Sequence, residues 1–326
     1  MKRVTLEEVA RVAGVSRATA SRVVNGASSV DESLRHAVEK AISSTGYLPN
    51  IAARSLVTRR ADAIGLLLPD ERRMDGDPHL ASVVSGVTRV VRPLGIHLVL
   101  MMTGPGTREQ ALSDLRCGRL DGVILVHTDP ADPVPGRLIA AGLPVVLAGR
   151  PLKPMPITYV DVNQTAGAAL AGRRLKSLRC GRIATITGPQ DTPAGQDRLA
   201  GFLAEVPDAV VVHGDFTRQS GVRAMEQLLR CCPDVDGVFV ASDLMANGAI
   251  PVLHRAGRKV PDDVAVVGFD DSSAALTTEP ELTTVRQPIT DMAAEMARQL
   301  LRQLAAPHSP ATSVVFEPSL VVRESG

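Results

Sequence analysis

At 326 residues the chain is long enough for two or three domains, and 44% hydrophobic with 22% charged residues is the composition of a folded globular protein rather than a disordered one. No apolar run approaches the roughly 18 residues of a membrane span and MKRVTLEEVARVAGV lacks an apolar signal stretch, which argues against membrane and secreted classes and for the cytoplasm. A formal net charge of +1 hides an asymmetry: residues 1–60 carry ten Lys and Arg against five Asp and Glu, and the rest is mildly acidic. Such a basic head suits a polyanionic partner, with chance clustering as the alternative.

Thr5 and Glu8 make a capping-box pattern, and Leu6, Val9, Ala10 and Ala13 recur at helical spacing, predicting a first helix that Gly14 ends. Ser16 can cap a second helix over 17–24, ended by Asn25-Gly26. A third is predicted from 31 to about 45, with Leu34, Ala37, Val38, Ala41 and Ile42 inward. Two short helices joined at a glycine and buttressed by a third make a helix-turn-helix; a generic three-helix bundle is the alternative. Residues 50–56, NIAARSL, can form one or two turns capped by Asn50, too few to be stable unless something packs on them. Residues 58–60 read as linker.

From 64 onward the pattern alternates between strand and helix. Apolar strands are expected at 64–68, 96–101, 122–126 and 145–148, with helices near 79–92, 107–118 and 134–142. A second series places strands at 182–186, 209–212, 237–240 and 264–268, with helices near 164–178, 195–205, 218–231 and 244–256. A helix over 289–304 and short strands at 313–316 and 319–322 close the pattern. Continuous apolar strands with helices between them predict an α/β body with parallel sheets, in two similar lobes of about four units each.

The run TLEEVARVAGVSRATASRVVNG followed by YLPNIAARSL resembles the headpiece and hinge of the LacI/GalR bacterial transcriptional repressors. The likeness continues through IGLLLPD, DGVILV, PVVLAGR, VDVNQTAG, RIATITGP, RLAGF, VFVASDLMANGA, VPDDVAVVGFDD and LTTVRQP, in order and over almost the whole chain. It implies a helix-turn-helix headpiece (1–49), a hinge helix and linker (50–60), and a two-lobed periplasmic-binding-protein-like core (61–326) that binds an effector and dimerises. The N-lobe would hold 61–161 and 289–316 and the C-lobe 163–286 and 318–326, with the chain crossing near 161–163, 286–289 and 316–318. The implied function is a sequence-specific repressor of a near-palindromic double-stranded operator, acting as a homodimer whose affinity a small molecule, a sugar, modulates. With no heptad helix after the last strand pattern, a dimer is expected rather than a tetramer.

Residues near the start of a second helix can reach base edges: Arg17 can donate a bidentate pair to guanine, and Ala18 offers a small apolar surface. Ser21 shares the face of Arg17, and Arg22 lies one turn beyond Ala18. For both arginines a solvated or phosphate-binding surface is the alternative. The resemblance makes Arg17, Ala18 and Arg22 base-contacting, and the expected DNA-binding set is Thr5, Ser16, Arg17, Ala18, Ser21, Arg22, Asn25, Asn50, Ala53 and Leu56. Leu56 alone reads as a packed helix residue; in the family this leucine is pushed from each subunit between central base pairs, an apolar wedge that bends DNA.

For the effector, polar groups at strand ends are the candidates. Arg198 and Asp270 stand at family effector positions, where a guanidinium donor and an acceptor carboxylate can bracket vicinal hydroxyls; apart from the family, both read as a surface ion pair. The set continues with Phe216, which matches an aromatic placed over a sugar ring, and with Asp243, Gln287 and His79, the last at a position of surface or packing residues otherwise. Gly149 replaces an aspartate of some sugar-responsive members, and Arg150 follows it. A purine effector fits poorly, because the loop 191–194 lacks the arginine of purine-responsive relatives.

The rival readings are an α/β enzyme and a solute-binding protein using the same cleft. No GxGxxG after a strand, GxxxxGK[ST], GxSxG or HExxH occurs, so no enzyme is expected. Cys117, Cys180, Cys231 and Cys232 form no CxxC and the seven histidines show no ligand spacing, so neither metal nor cofactor is expected.

Overall fold

A computed structural model describes residues 4–24, 27, 29–47, 60–68, 78–102, 107–126, 133–307 and 309–326. The N-terminal unit contains α1 (Leu6–Ala13), α2 (Arg17–Val24) and α3 (Glu32–Thr45). Five of these six helix ends have a visible local cause. The Thr5 hydroxyl accepts from the Glu8 amide while the Glu8 carboxylate accepts from the Thr5 amide, closing the capping box. Gly14, at φ 68°, turns the chain between α1 and α2 in the left-handed region that glycine adopts without strain. Ser16 Oγ accepts from the Thr19 amide at 3.1 Å and starts α2. Asp31 caps α3, and Gly46 ends it. Val9, Ala10, Ala20, Val23, Val38 and Ala41 form the core of this unit. Leu34, expected inward, is 41% exposed: the inward stripe of α3 runs through Val38 and Ala41 and leaves it at the edge.

The body contains two six-stranded sheets. The first, in the order β11-β5-β4-β3-β1-β2, joins β1 (Ala63–Leu68), β2 (His97–Met102), β3 (Gly122–Leu125), β4 (Val145–Ala148), β5 (Thr158–Val162) and β11 (Ser313–Phe316), all parallel. The second, in the order β12-β10-β9-β8-β6-β7, joins β6 (Ile183–Thr187), β7 (Val210–His213), β8 (Gly237–Val240), β9 (Ala265–Asp270), β10 (Thr283–Arg286) and β12 (Ser319–Val321). Here the expectation of purely parallel pairing needs correction, because β12 runs antiparallel to β10. Helices α4 (Leu80–Val91), α5 (Thr107–Arg116), α6 (Val134–Ala140), α7 (Gln164–Ser177), α8 (Pro193–Glu205), α9 (Arg218–Cys231), α10 (Asp243–Arg255) and α11 (Ile289–Ala305) connect the strands.

Of the six strands per sheet, β11 and β12 are those expected at 313–316 and 319–322, whereas β5 (TYVDV) and β10 (TTVR) lie outside the expected strands because polar residues mask their strand character. They are interior strands nonetheless. Thr158, Asp161, Thr283 and Thr284 are buried, and hydrogen bonds compensate that burial, as between Thr283 Oγ1 and the Gly326 carbonyl at 2.6 Å. The chain leaves the first sheet after Val162, returns to that lobe in α11 after Arg286, and passes from β11 directly to β12 between Phe316 and Ser319. Met292, Ala293, Met296, Ala297 and Leu300 of α11 pack into the core of the first lobe. Phe202, Phe239 and Phe269 pile up in the second core, with ring centroids 4.9 and 6.4 Å apart. Among the described residues no helix is long and apolar enough to cross a membrane.

Candidate functional site

On the N-terminal unit, Arg17, Ala18 and Arg22 lie on the exposed face of α2, Ser21 is half-buried, and Ala20 and Val23 face the core. The helical period thus separates a basic face from a packing face. Arg17 Nε pairs with Glu7 Oε1 at 2.6 Å, with both side chains more than half exposed, so the pair is readily exchanged for another anion. The hydroxyls of Thr5 and Ser16 already serve as helix caps, and Ser16 Oγ also lies 2.9 Å from Thr19 Oγ1. Asn25, Asn50, Ala53 and Leu56 lie outside the described residues.

In the body, Arg198, Asp270, Gln287, His79 and Phe216 come together where the lobes meet. Arg198 projects from α8 with 5% exposure. It donates from Nε to Gln164 Oε1 at 2.8 Å, and from Nη1 to the Ala241 carbonyl at 2.6 Å and Asp270 Oδ1 at 3.2 Å. Its guanidinium carbon is 3.7 Å from the Phe269 ring centroid and 5.4 Å from that of Phe216. Asp270, at the end of β9, also accepts from Gln287 Nε2 at 2.6 Å, and His79 Nε2 of the other lobe is 3.3 Å from its Oδ2. Burial alone would raise the Asp270 pKa, but Arg198 and His79 outweigh it and hold the carboxyl below its ordinary range.

The backbone at the site is strained as well. Phe216 has φ 69° and Asp270 φ 121°, both unusual for residues with a side chain. The Phe216 ring lies over Gly188, where a Cβ would fall 2.1 Å from a ring atom. Asp271, at φ 54°, is tied down by Arg286 and Arg323 at 2.6 and 2.5 Å. Pro78 and His79 of one lobe, with 270–273 and 286–291, line a cavity of about 520 Å³.

Asp243, expected at the effector, is instead enclosed beneath the site with no exposure. Its Oδ2 accepts from the Ser272 amide at 2.7 Å and its Oδ1 from Thr284 Oγ1 at 2.5 Å. Burial, reinforced by the nearby Asp270 charge, pushes its pKa up to about 8. Asp243 therefore braces the 270–272 turn from behind the cavity lining.

Sequence reasoning missed Asp161 and Gln164. Asp161 Oδ1 accepts from Gln164 Nε2 at 3.0 Å, and Gln164 in turn accepts from Arg198. The run VDVNQTAG contained the signal: two polar residues flank a lobe crossing where burial would otherwise select apolar ones. Arg150, noted only as the neighbour of Gly149, pairs with Asp197. Among the described residues no cluster of three His, Cys, Asp or Glu could hold a metal ion.

Residues 5–50 match the bacterial regulatory proteins of the lacI family, and residues 172–326 match a periplasmic binding protein-like domain. The chain is 44% identical to the HTH-type transcriptional regulator CelR of Thermobifida fusca, across 100% of this chain and 99% of that one. Among solved structures it is similar to a transcriptional regulator CelR–cellobiose complex, at 41% identity and a TM-score of 0.77, covering 99% of this chain and 100% of that one. It is also similar to the lac repressor dimer bound to operator and the anti-inducer ONPF, at 27% identity and a TM-score of 0.84, covering 99% of each.

Proposed function

The chain belongs to the lacI family of bacterial regulatory proteins, and on that premise we propose that its effector is a neutral saccharide, of which cellobiose is the first candidate, bound between the lobes by Arg198, Asp270, Gln287, His79 and Phe216. It is a DNA-binding transcriptional regulator whose operator affinity a small molecule modulates, not an enzyme. The observation that carries the saccharide reading is that the carboxylates lining the cavity at 270 and 271 are each neutralised by arginines in or directly behind its wall. Arg198 is matched by Asp270, and Arg286 and Arg323 by Asp271. The Asp270 carboxylate, Gln287 amide and Arg286 guanidinium in the cavity lining suit the hydroxyls of an uncharged sugar better than a phosphate or carboxylate. The cellobiose in the similar CelR–cellobiose complex supports the same choice.

The mechanism is linkage. Effector binds one arrangement of the lobes more tightly than the other, and that arrangement presents the two heads of a homodimer differently to the half-sites. Arg17, Ala18, Ser21 and Arg22 would read bases, with Thr5, Ser16 and Asn25 around them, while Asn50, Ala53 and Leu56 would serve the hinge in the minor groove. The dimer is further supported by β2, an edge strand of the first sheet that exposes Val99 and Leu100. Repression from the cytoplasm is the corresponding biological role. Titration calorimetry with cellobiose, ribose and a purine nucleobase tests the effector class: cellobiose should bind alone or most tightly. Heat from the nucleobase only would overturn the saccharide reading.

A further inference from the structure

Arg150 follows β4 in the first lobe, and its amide donates to Asp161 Oδ2 at 2.8 Å, which fixes the backbone from which its side chain extends. The side chain reaches α8 of the second lobe. There Arg150 Nε lies 2.7 Å from Asp197 Oδ2 and Nη2 lies 2.7 Å from Oδ1, a two-point fork in which each nitrogen has its own oxygen. Neither residue lines the cavity at Asp270. The side chains are 35% and 26% exposed, shielded enough to count and open enough to exchange with water.

Asp197 directly precedes Arg198, so the same turn of α8 holds the first lobe through one residue and Asp270 through the next. The other ion pair described across the cleft, His79 with Asp270, is longer at 3.3 Å and depends on imidazole protonation. The Arg150 guanidinium, held protonated by the fork to Asp197, stays charged throughout the neutral range.

We propose that Arg150 and Asp197 form a latch between the lobes that favours the closed cleft and thereby sets effector affinity. Its effect on affinity rests on the effector reading above; the latch itself rests only on the fork. For a ligand that needs the closed arrangement, apparent affinity is scaled by the fraction of molecules that retain it.

Small-angle X-ray scattering on the full, effector-free chain reads the latch directly. Arg150→Gln and Asp197→Asn should each increase the radius of gyration, and the charge-reversed pair Arg150→Asp with Asp197→Arg should return it towards wild type. A residue that served only local folding would not be rescued by reversal. Cellobiose affinity should fall about fivefold in each single variant and recover in the reversed pair, as expected for one partly shielded ion pair. Wild-type scattering in both single variants would overturn the latch. If cellobiose fails to bind the wild-type chain, the effector reading falls while scattering still decides the latch.

Discussion

Replacing Arg198 with methionine should destabilise the body by about 3–5 kcal/mol, the range for breaking a buried ion pair from one side. Methionine fills much of the volume of the arginine stem against Phe269, so the loss is chiefly electrostatic. Three hydrogen bonds disappear, to Gln164, the Ala241 carbonyl and Asp270. The larger cost falls on Asp270, which remains 5% exposed with a charge supported only by Gln287 and His79. Without the guanidinium, burial should raise the Asp270 pKa above its unfolded value. The folded variant then holds a proton that the unfolded chain releases, so its stability declines as pH rises through that interval and the penalty shrinks in acid. Urea denaturation of wild type, Arg198→Met, Asp270→Asn and the double variant at neutral pH completes the cycle. The double variant should cost clearly less than the two single losses added together, since no lone charge remains. A loss below about 1 kcal/mol in Arg198→Met, or strict additivity, would refute the buried pair.

Asp243→Asn tests the enclosed carboxyl: with its pKa moved from 3.8 to about 8, the folded wild type binds a proton the unfolded chain lacks, so wild-type stability should fall as pH rises through that window. The asparagine variant should lack this fall, and matching urea midpoints for both proteins from pH 5 to 8 would show that Asp243 ionises normally. Arg17→Ala should weaken specific DNA binding by about 1–3 kcal/mol and relax preference at one base pair per half-site. Equal losses on specific and random duplexes in a mobility-shift assay would instead make Arg17 a phosphate contact. Leu56→Ala should lower operator affinity and bending together while leaving folding and effector binding intact; wild-type bending at wild-type affinity would remove the wedge.

Local chemistry made the head legible. Thr5 with Glu8, Ser16, and Asp31 with Gly46 each mark a helix end within a few residues of chain, and the structure uses them in those roles. Strands such as β3 and β8 were equally plain because burial on both faces leaves only apolar residues to read. β5 and β10 escaped because the hydroxyls of Thr158, Thr283 and Thr284 are satisfied by Thr312, Gly326 and Asp243, partners far along the chain that no short window contains. The cleft divides similarly. Arg198 and Asp270 are 72 residues apart, and only the family likeness placed them together; the Arg150–Asp197 fork spans 47 residues and had no such guide. Asp243 supports the 270–272 turn, and a polar residue after a strand looks the same in sequence whether it faces a ligand or braces the turn that does.

Coupling between the cleft and DNA is read most directly by fluorescence anisotropy of the full chain on a duplex selected by the protein itself from random DNA, titrated with and without saturating cellobiose. The duplex should be a near-palindrome, bound far more tightly than a scrambled control. Cellobiose should change its apparent Kd by a factor of about 5–150, the span of ordinary coupling free energies. Equal affinity for the scrambled duplex, or an unchanged Kd while calorimetry shows cellobiose bound, would contradict a regulator whose lobes transmit sugar binding to the operator.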